Sequence, residues 1–364
     1  MKYRIADIFA PKDLGASGTE VIDIKLKDCI SRIDIQYKFT TPASAASMSA
    51  PPCACLPKIE LVDGSSILHS LSGYEEQALN LFNRGKMPRQ YVNLAASTVN
   101  IFKCGIDFGC FLFDQQLAFD PKKYKNPQLK IQYNETNCIA GSDAGTLEVI
   151  AWVFDEKVPS PVGFLLSKEI YSYTPAASAH EYVDLPTDLL TRALLIRALT
   201  TDVDIVTQMD TLKLSEDNDK RIPIEQTFQN LLEQNIENYG ELIEDITLDA
   251  SVTARNLYII PTYEVVAASF NTGAYDAADA DVGAITITAN KAALGANVTV
   301  LHQNAKIKGY APHSSIFIPF GKQMEIEDWY DVTKLGSLRA DILATSDDQT
   351  NAAAYIVTQQ LQKY

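Results

Sequence analysis

No run in this 364-residue chain approaches the roughly 18 consecutive apolar residues that a membrane-spanning helix needs. The opening segment MKYRIADIFAPKDLG has neither the apolar core nor the small-residue cleavage site of a secretory signal, so the chain is expected to stay in the cytosol. Cysteine is scarce and confined to the first half: Cys29, Cys53, Cys55, Cys104, Cys110 and Cys138. The closest pair, Cys53-Ala-Cys55, is not a CxxC, which removes the zinc-ribbon pattern and favours buried free thiols over a disulfide or metal pair. The four histidines (His69, His180, His302, His313) form no HxH or HExxH set, so the common zinc and non-haem iron arrangements are missing too. There is no GxxxxGK[ST] phosphate loop, and no GxGxxG follows a strand. Only two tryptophans occur; Trp152, inside the apolar run EVIAWVF, is expected in the core.

Positive charge is also in deficit, 31 Lys+Arg against 46 Asp+Glu for a net charge of −15. The deficit is lopsided: residues 1–160 carry 17 against 18, and residues 161–364 carry 14 against 28. A strongly acidic half repels phosphate backbones, so sequence-specific nucleic-acid binding is not expected.

What the chain has in abundance is short β-type runs. VIDIKL and RIDIQYKF alternate apolar with polar residues, and PKIELVD, CFLFDQQLAF, QLKIQYN and LEVIAWVF follow. The second half adds DVDIVTQM, NLYIIPTYEVVAASF, AITITA, NVTVLHQNAKIKGY, SSIFIPF, SLRADILA and AAAYIVTQQL. Period-two alternation broken by Gly, Pro, Asn and Asp at short intervals indicates an all-β chain of sandwiches or barrels.

Two helices stand out. Ser72 followed by Glu75 has capping-box spacing; Tyr74, Ala78, Leu81 and Phe82 make one apolar stripe, and Gly85 ends it. In TFQNLLEQNIENYG, Thr227 is the cap, Phe228, Leu231, Leu232, Ile236 and Tyr239 the stripe, and Gly240 the stop. The order of strands around the two helices is similar, offset by about 160 residues early on, which reads as two copies of one plan. The length of the chain also exceeds one ordinary hydrophobic core. The expected division is a first β-domain over 1–157, a linker over 158–180 rich in Pro, Ser and small residues, and a second over 181–364. The second carries an extended Ala/Gly/Asp-rich surface loop at about 271–300.

The richest chemical stretch is DGSSILHSLSGYEEQALNLFNRGKMP (Asp63–Pro88). It provides no G-x-S-x-G elbow, and Asp63-Gly64 fits a hairpin turn better than a nucleophile site. Glu75 and Glu76, adjacent on a helix, point about 100° apart and cannot flank one bond as paired glycosidase carboxylates do. The acidic runs SEDNDKR (Ser215–Arg221) and DAADADVG (Asp276–Gly283) lack EF-hand spacing and read as solvated loops. PKKYKNPQLK (Pro121–Lys130), the densest basic run, reads as lysines guarding a strand edge. No catalytic, cofactor-binding or metal-ligating residue is assigned, and no cofactor is expected.

With two β-repeats, a short helix in each, and segments such as KIELVDGSSILHSLSGYEEQALNLFNRGKMP and YKNPQLKIQYN, the chain resembles the double jelly-roll major capsid proteins of icosahedral, tailless, often membrane-containing viruses, bacteriophages among them. The resemblance implies two tandem eight-stranded jelly-roll sandwiches, each with one short α-helix. It implies a homotrimeric, pseudo-hexagonal capsomer that assembles in the host cytoplasm into a virion shell, without catalysis. Its implied partners are its own copies, neighbouring capsomers, penton or minor capsid proteins and an internal membrane. The N-terminal segment with Lys2 and Arg4 would face those neighbours or the membrane, and the 271–300 loop would project outward. Jelly rolls also serve as carbohydrate-binding, lectin-like proteins, which is the alternative; a cupin-type enzyme is disfavoured by the missing histidine cluster.

Overall fold

The structure, a computed structural model, describes residues 2–43, 47–94, 96–199, 203–251, 255–269, 275–281, 283–289, 300–347 and 352–364. Eight strands come first: β1 (Tyr3–Asp13), β2 (Ser17–Asp23), β3 (Ile30–Thr40), β4 (Lys58–Asp63), β5 (Ser66–Leu71), β6 (Val99–Asp107), β7 (Pro127–Asn134) and β8 (Asp143–Phe154). Helix α1 (Gly73–Arg84) follows the fifth. They form two facing sheets, β1-β8-β3-β6 and β2-β7-β4-β5. In β3 the alternation read from the sequence is complete, with Ile33, Ile35, Tyr37 and Phe39 buried and Arg32, Asp34, Gln36 and Lys38 on the outer face. Each aliphatic side chain of this kind contributes roughly 1.5–3 kcal/mol on burial.

A second set of eight repeats the plan. Its strands are β9 (Gly163–Tyr173), β10 (His180–Leu185), β11 (Thr191–Leu199), β12 (Met209–Glu216) and β13 (Arg221–Thr227). After a long excursion come β20 (Ser315–Pro319), β21 (Leu338–Ala344) and β22 (Ala353–Lys363). Again the first, eighth, third and sixth strands share one sheet (β9-β22-β11-β20), and the second, seventh, fourth and fifth share the other (β10-β21-β12-β13). Both sets therefore have the jelly-roll order. A single-turn helix α2 (Ile205–Gln208) precedes β12, and helix α3 (Phe228–Tyr239) follows the fifth strand, as α1 does. The two rolls are joined edge to edge, because β5 meets β9 in parallel at Ser70↔Lys168 and makes one eight-stranded sheet.

The excursion between α3 and β20 is a tower of strands β14 (Leu242–Ser251), β15 (Arg255–Tyr258), β16 (Pro261–Ser269), β17 (Tyr275–Asp281), β18 (Ala284–Ala289) and β19 (Val300–Pro312). It is larger than the loop expected at 271–300, of which β17 and β18 form a hairpin. Residues 270–274, 282 and 290–299 lie outside the described residues, as do the side chains of Asp276, Asp279 and Asp281. The tower's base leans on the first roll: Leu257, Ile259 and Ile307 belong to that roll's core, and Met48 N–H donates to the Asn256 carbonyl at 3.0 Å.

Several expectations are corrected. Residues 158–180 are not a plain linker, since β9 lies within them. Its Phe164, Leu165 and Leu166 are all buried, so the strand shows a continuous apolar run in place of an alternation. CFLFDQQLAF is no strand but a bent loop turning about Asp114, whose carboxylate accepts from the N–H groups of Cys110 and Gln116 at 3.2 and 2.9 Å. In DVDIVTQM, Asp204 caps a helical turn by accepting from Thr207 N–H at 2.8 Å. The N-terminal segment, for which no expectation is overturned, is the edge strand β1, paired with β8 from Tyr3↔Phe154 to Asp13↔Thr146, with Arg4 held 2.6 Å from Asp28. PKKYKNPQLK leads into β7, which lies between β2 and β4 and is not an edge. Trp152 is only half-buried: neighbours Ala151 and Val153 point inward, so Trp152 faces out and donates to Asp34 at 2.5 Å.

Candidate functional site: a buried polar junction

The Asp63–Pro88 stretch folds as its local signals dictate. Gly64, at φ 60°, turns the β4–β5 hairpin. Ser72 and Glu75 complete a reciprocal capping box on α1, and Gly85, at φ 65°, closes it. Thr227 caps α3 by accepting from Asn230 N–H at 3.2 Å, and the Gly240 N–H ends it on the Ile236 carbonyl.

The sequence stripe on α1 understates what the helix does. Glu75, Glu76, Gln77 and Asn80 are all buried together with Ala78, Leu79 and Phe82, because α1 lies between the two rolls. On one side it follows the edge strand β6 of its own roll. On the other it covers the outer face of the second roll's β9-β22-β11-β20 sheet, where Leu79 and Phe82 join Ala193, Leu195, Phe317 and Val357 in one apolar cluster. Phe82 stacks on Phe317 with ring centres 4.9 Å apart and meets Tyr239 of α3 edge-on at 5.0 Å.

Polar side chains are threaded through this junction and meet one another in pairs, although His69 Nδ1 and Gln77 Nε2 have no hydrogen-bond partner among the described residues. Arg197 of β11 donates to Glu75 at 2.5 Å, and its guanidinium lies between the rings of Tyr74 and Tyr355, 4.7 and 4.1 Å from their centres. Burial pushes the Glu75 carboxyl up, but Arg197 and the hydrogen bond from Ser72 outweigh it and hold it below the ordinary value. His69 of β5 and Glu76 are 2.6 Å apart. Arg192 donates to Asn83 at 2.7 Å and also to Gln359. Burial, with a smaller contribution from Arg197, drives His313 down to about 3. Burial favours the neutral imidazole, whose Nε2 lies 2.8 Å from Gln77 Oε1. Cys53 Sγ lies 3.8 Å from the same nitrogen, but burial holds that thiol well above its usual range, so no thiolate–imidazolium nucleophile forms.

Two asparagines escaped the sequence reading. Asn80 of α1 donates to the Gly105 carbonyl at 2.6 Å and accepts from the Gly105 N–H at 2.9 Å. Asn235 of α3 does the same to Phe317, donating at 2.7 Å and accepting at 2.8 Å. Both targets lie on the sixth strand of their roll, the edge of its sheet, so each side-chain amide stands in for a missing neighbour strand. Gly105 is required there, because a Cβ would lie 2.5 Å from the Ile33 carbonyl oxygen. The signal was legible: NLFNRG (Asn80–Gly85) and NIENYG (Asn235–Gly240) share N-x-x-N-x-G, with a poor helix former at the same distance from each closing glycine.

Elsewhere, all six cysteines are buried and none is in a disulfide. Trp329 is buried, while the half-buried Trp152 meets Phe113 edge-on at 6.3 Å. The run SEDNDKR is the β12–β13 turn, where Asp217, Asn218 and Asp219 take positive φ and Asp217 accepts from the Gly336 and Ser337 N–H groups.

No family model matches the sequence, and no curated protein matches it. Solved structures do. The major capsid protein of Sulfolobus turreted icosahedral virus superposes with a TM-score of 0.64 at 14% identity, over 100% of this chain and 98% of that one. The major capsid protein P2 from bacteriophage PM2 gives 0.55 at 11% identity, over 99% of this chain and 98% of that one. The PBCV-1 virus capsid gives 0.55 at 10%, over 99% and 93%. At these identities the likeness establishes the fold along the whole chain: an all-β double jelly roll.

Proposed function

We propose that this chain is the major capsid protein of an icosahedral virus. The observation that carries the reading is the repeated eight-strand order, present twice in one chain and shared end to end with capsid proteins of three different viruses. Two similar rolls per chain give three chains six similar corners, so the assembly unit is a homotrimer with pseudo-hexagonal outline. Its role is mechanical: capsomers meet through their sides to close the virion shell, with penton or minor capsid proteins and an internal membrane as further contacts, after assembly in the host cytoplasm. The tower projects outward. The division into rolls meeting near residues 155–163 belongs to this reading, with β9 assigned to the second. Consistent with a non-enzymatic role, the chemically suggestive side chains of Asp63–Pro88 are engaged with other protein groups in packing the rolls together.

Size-exclusion chromatography with light scattering is expected to give three times the chain mass, and negative-stain microscopy three-fold particles of hexagonal outline. A stable monomer that binds glycans would overturn the proposal in favour of the lectin-like alternative.

A further inference from the structure

The two asparagine clamps fix a residue-by-residue correspondence between the rolls. Asn80 corresponds to Asn235, which puts Glu75, Leu79, Phe82 and Arg84 of α1 in register with Asn230, Gln234, Glu237 and Tyr239 of α3. Gly105 corresponds to Phe317, and their cross-strand partners are Asp34 and Leu195. Ile150 then corresponds to Val357, and Gln36 to Arg197.

Within the chain, α1 covers the outer face of the second roll. The matching pair is left open. The helix face of α3 that corresponds to the buried face of α1 is exposed and bears Asn230, Glu233, Gln234, Glu237 and Asn238. The outer face of the first roll holds a cleft of about 420 Å³, lined by Asp34, Gln36, Arg84, Arg89, Lys103, Glu148 and Ile150 among others, where Gln36 donates to Glu148 at 2.7 Å. It lies where α1 sits on the second roll.

The substitutions on the two sides go together. Where Phe82 meets Tyr239 inside the chain, the open pair offers Glu237 and Arg84, with exposed Arg89 and Lys103 beside it. Where Glu75 meets Arg197, it offers Asn230 and Gln36. An apolar contact becomes a charged one, and a buried ion pair becomes a pair of amides. The inner contact forms once, within one chain; the open one has the polar character of surfaces that are water-exposed before they meet.

We infer that the outward face of α3 from a second copy of this chain seats in the cleft on the first roll, repeating head-to-tail between chains the contact that α1 makes within one. The inference rests on the capsid reading and supplies its contact surface. Glu233 and Glu237 match the exposed Arg89 and Lys103 of the cleft, Arg84 being already paired with Asp107 at 2.8 Å, and this charge match also speeds encounter. A head-to-tail contact closes a ring when its rotation permits.

The test is charge reversal on exposed residues, with full-length protein followed by light scattering. Glu237→Lys alone, and Arg89→Glu with Lys103→Glu, are each expected to weaken association on the order of tenfold or more and to shift the trimer towards monomer. Combining all three substitutions in one chain restores the trimer, which a folding defect would not do. If the wild type is trimeric and each reversed variant stays so, the assigned surface is wrong while the capsid reading stands. If the wild type is a monomer, the capsid reading itself falls.

Discussion

A carboxyl group shut away from water must either find a cation or give up its charge, and this chain contains both solutions. Glu75 has Arg197. Glu244, at the foot of the tower, has among the described residues the N–H of Ile260 at 2.9 Å and the amide of Gln90 from the first roll. Burial dominates and raises its pKa from 4.5 to about 7, against those two hydrogen bonds. The sign follows. A folded-state pKa above the unfolded one gives a contribution fully present below about 4.5 and lost as pH rises through about 7. The shift corresponds to about 3 kcal/mol. Thermal unfolding between about pH 4.5 and about pH 8 is expected to show this loss in the wild type and much less of it in Glu244→Gln; an unchanged pH dependence in the variant would assign the loss elsewhere. Glu75 runs the other way: its depressed pKa gives stability that is present above the unfolded value and disappears on acidification.

Among the elements, the two helices owe their position to the edges they close. Asn80→Ala leaves the N–H of Gly105 without its side-chain partner and its C=O with Arg84 at 3.3 Å, and Asn235→Ala removes the side-chain partner of both groups at Phe317. Each is expected to cost roughly 1–3 kcal/mol in urea unfolding, whereas Asn230→Ala, on the exposed face of α3, is expected to stay within about 0.5 kcal/mol. Equal costs at all three positions would contradict the clamp. Elements governed by local signals were legible in the sequence, because a capping box, a turn glycine or a period of two needs only neighbouring residues. Both helices, the Asp63-Gly64 turn and strands such as β3 fall in this class. The bent loop at Cys110–Phe119 was not legible, since its apolar residues look like a strand until Asp114 draws the backbone around itself. Nor was β9, buried without alternating. The destination of Glu75, Glu76 and Gln77 was hidden most deeply: their partners Arg197, His69 and His313 come from β11, β5 and the end of the tower.

Across the whole molecule, the rolls are not independent bodies. One sheet runs through both, α1 of the first roll covers the second, and the tower of the second roll enters the core of the first. Calorimetry is therefore expected to give one cooperative transition despite two cores; two resolved transitions would show the junction to be weak. Arg197→Ala, which strands Glu75 in that junction, is expected to cost about 3–5 kcal/mol.

The same reciprocity has a consequence for descent. Each half has handed part of its covering to the other, so deleting either exposes apolar surface that the survivor cannot hide. A lineage that reaches this state has passed a ratchet: the paired rolls can diverge in sequence, lengthen a tower or exchange surface charges, but they cannot return to living as singles.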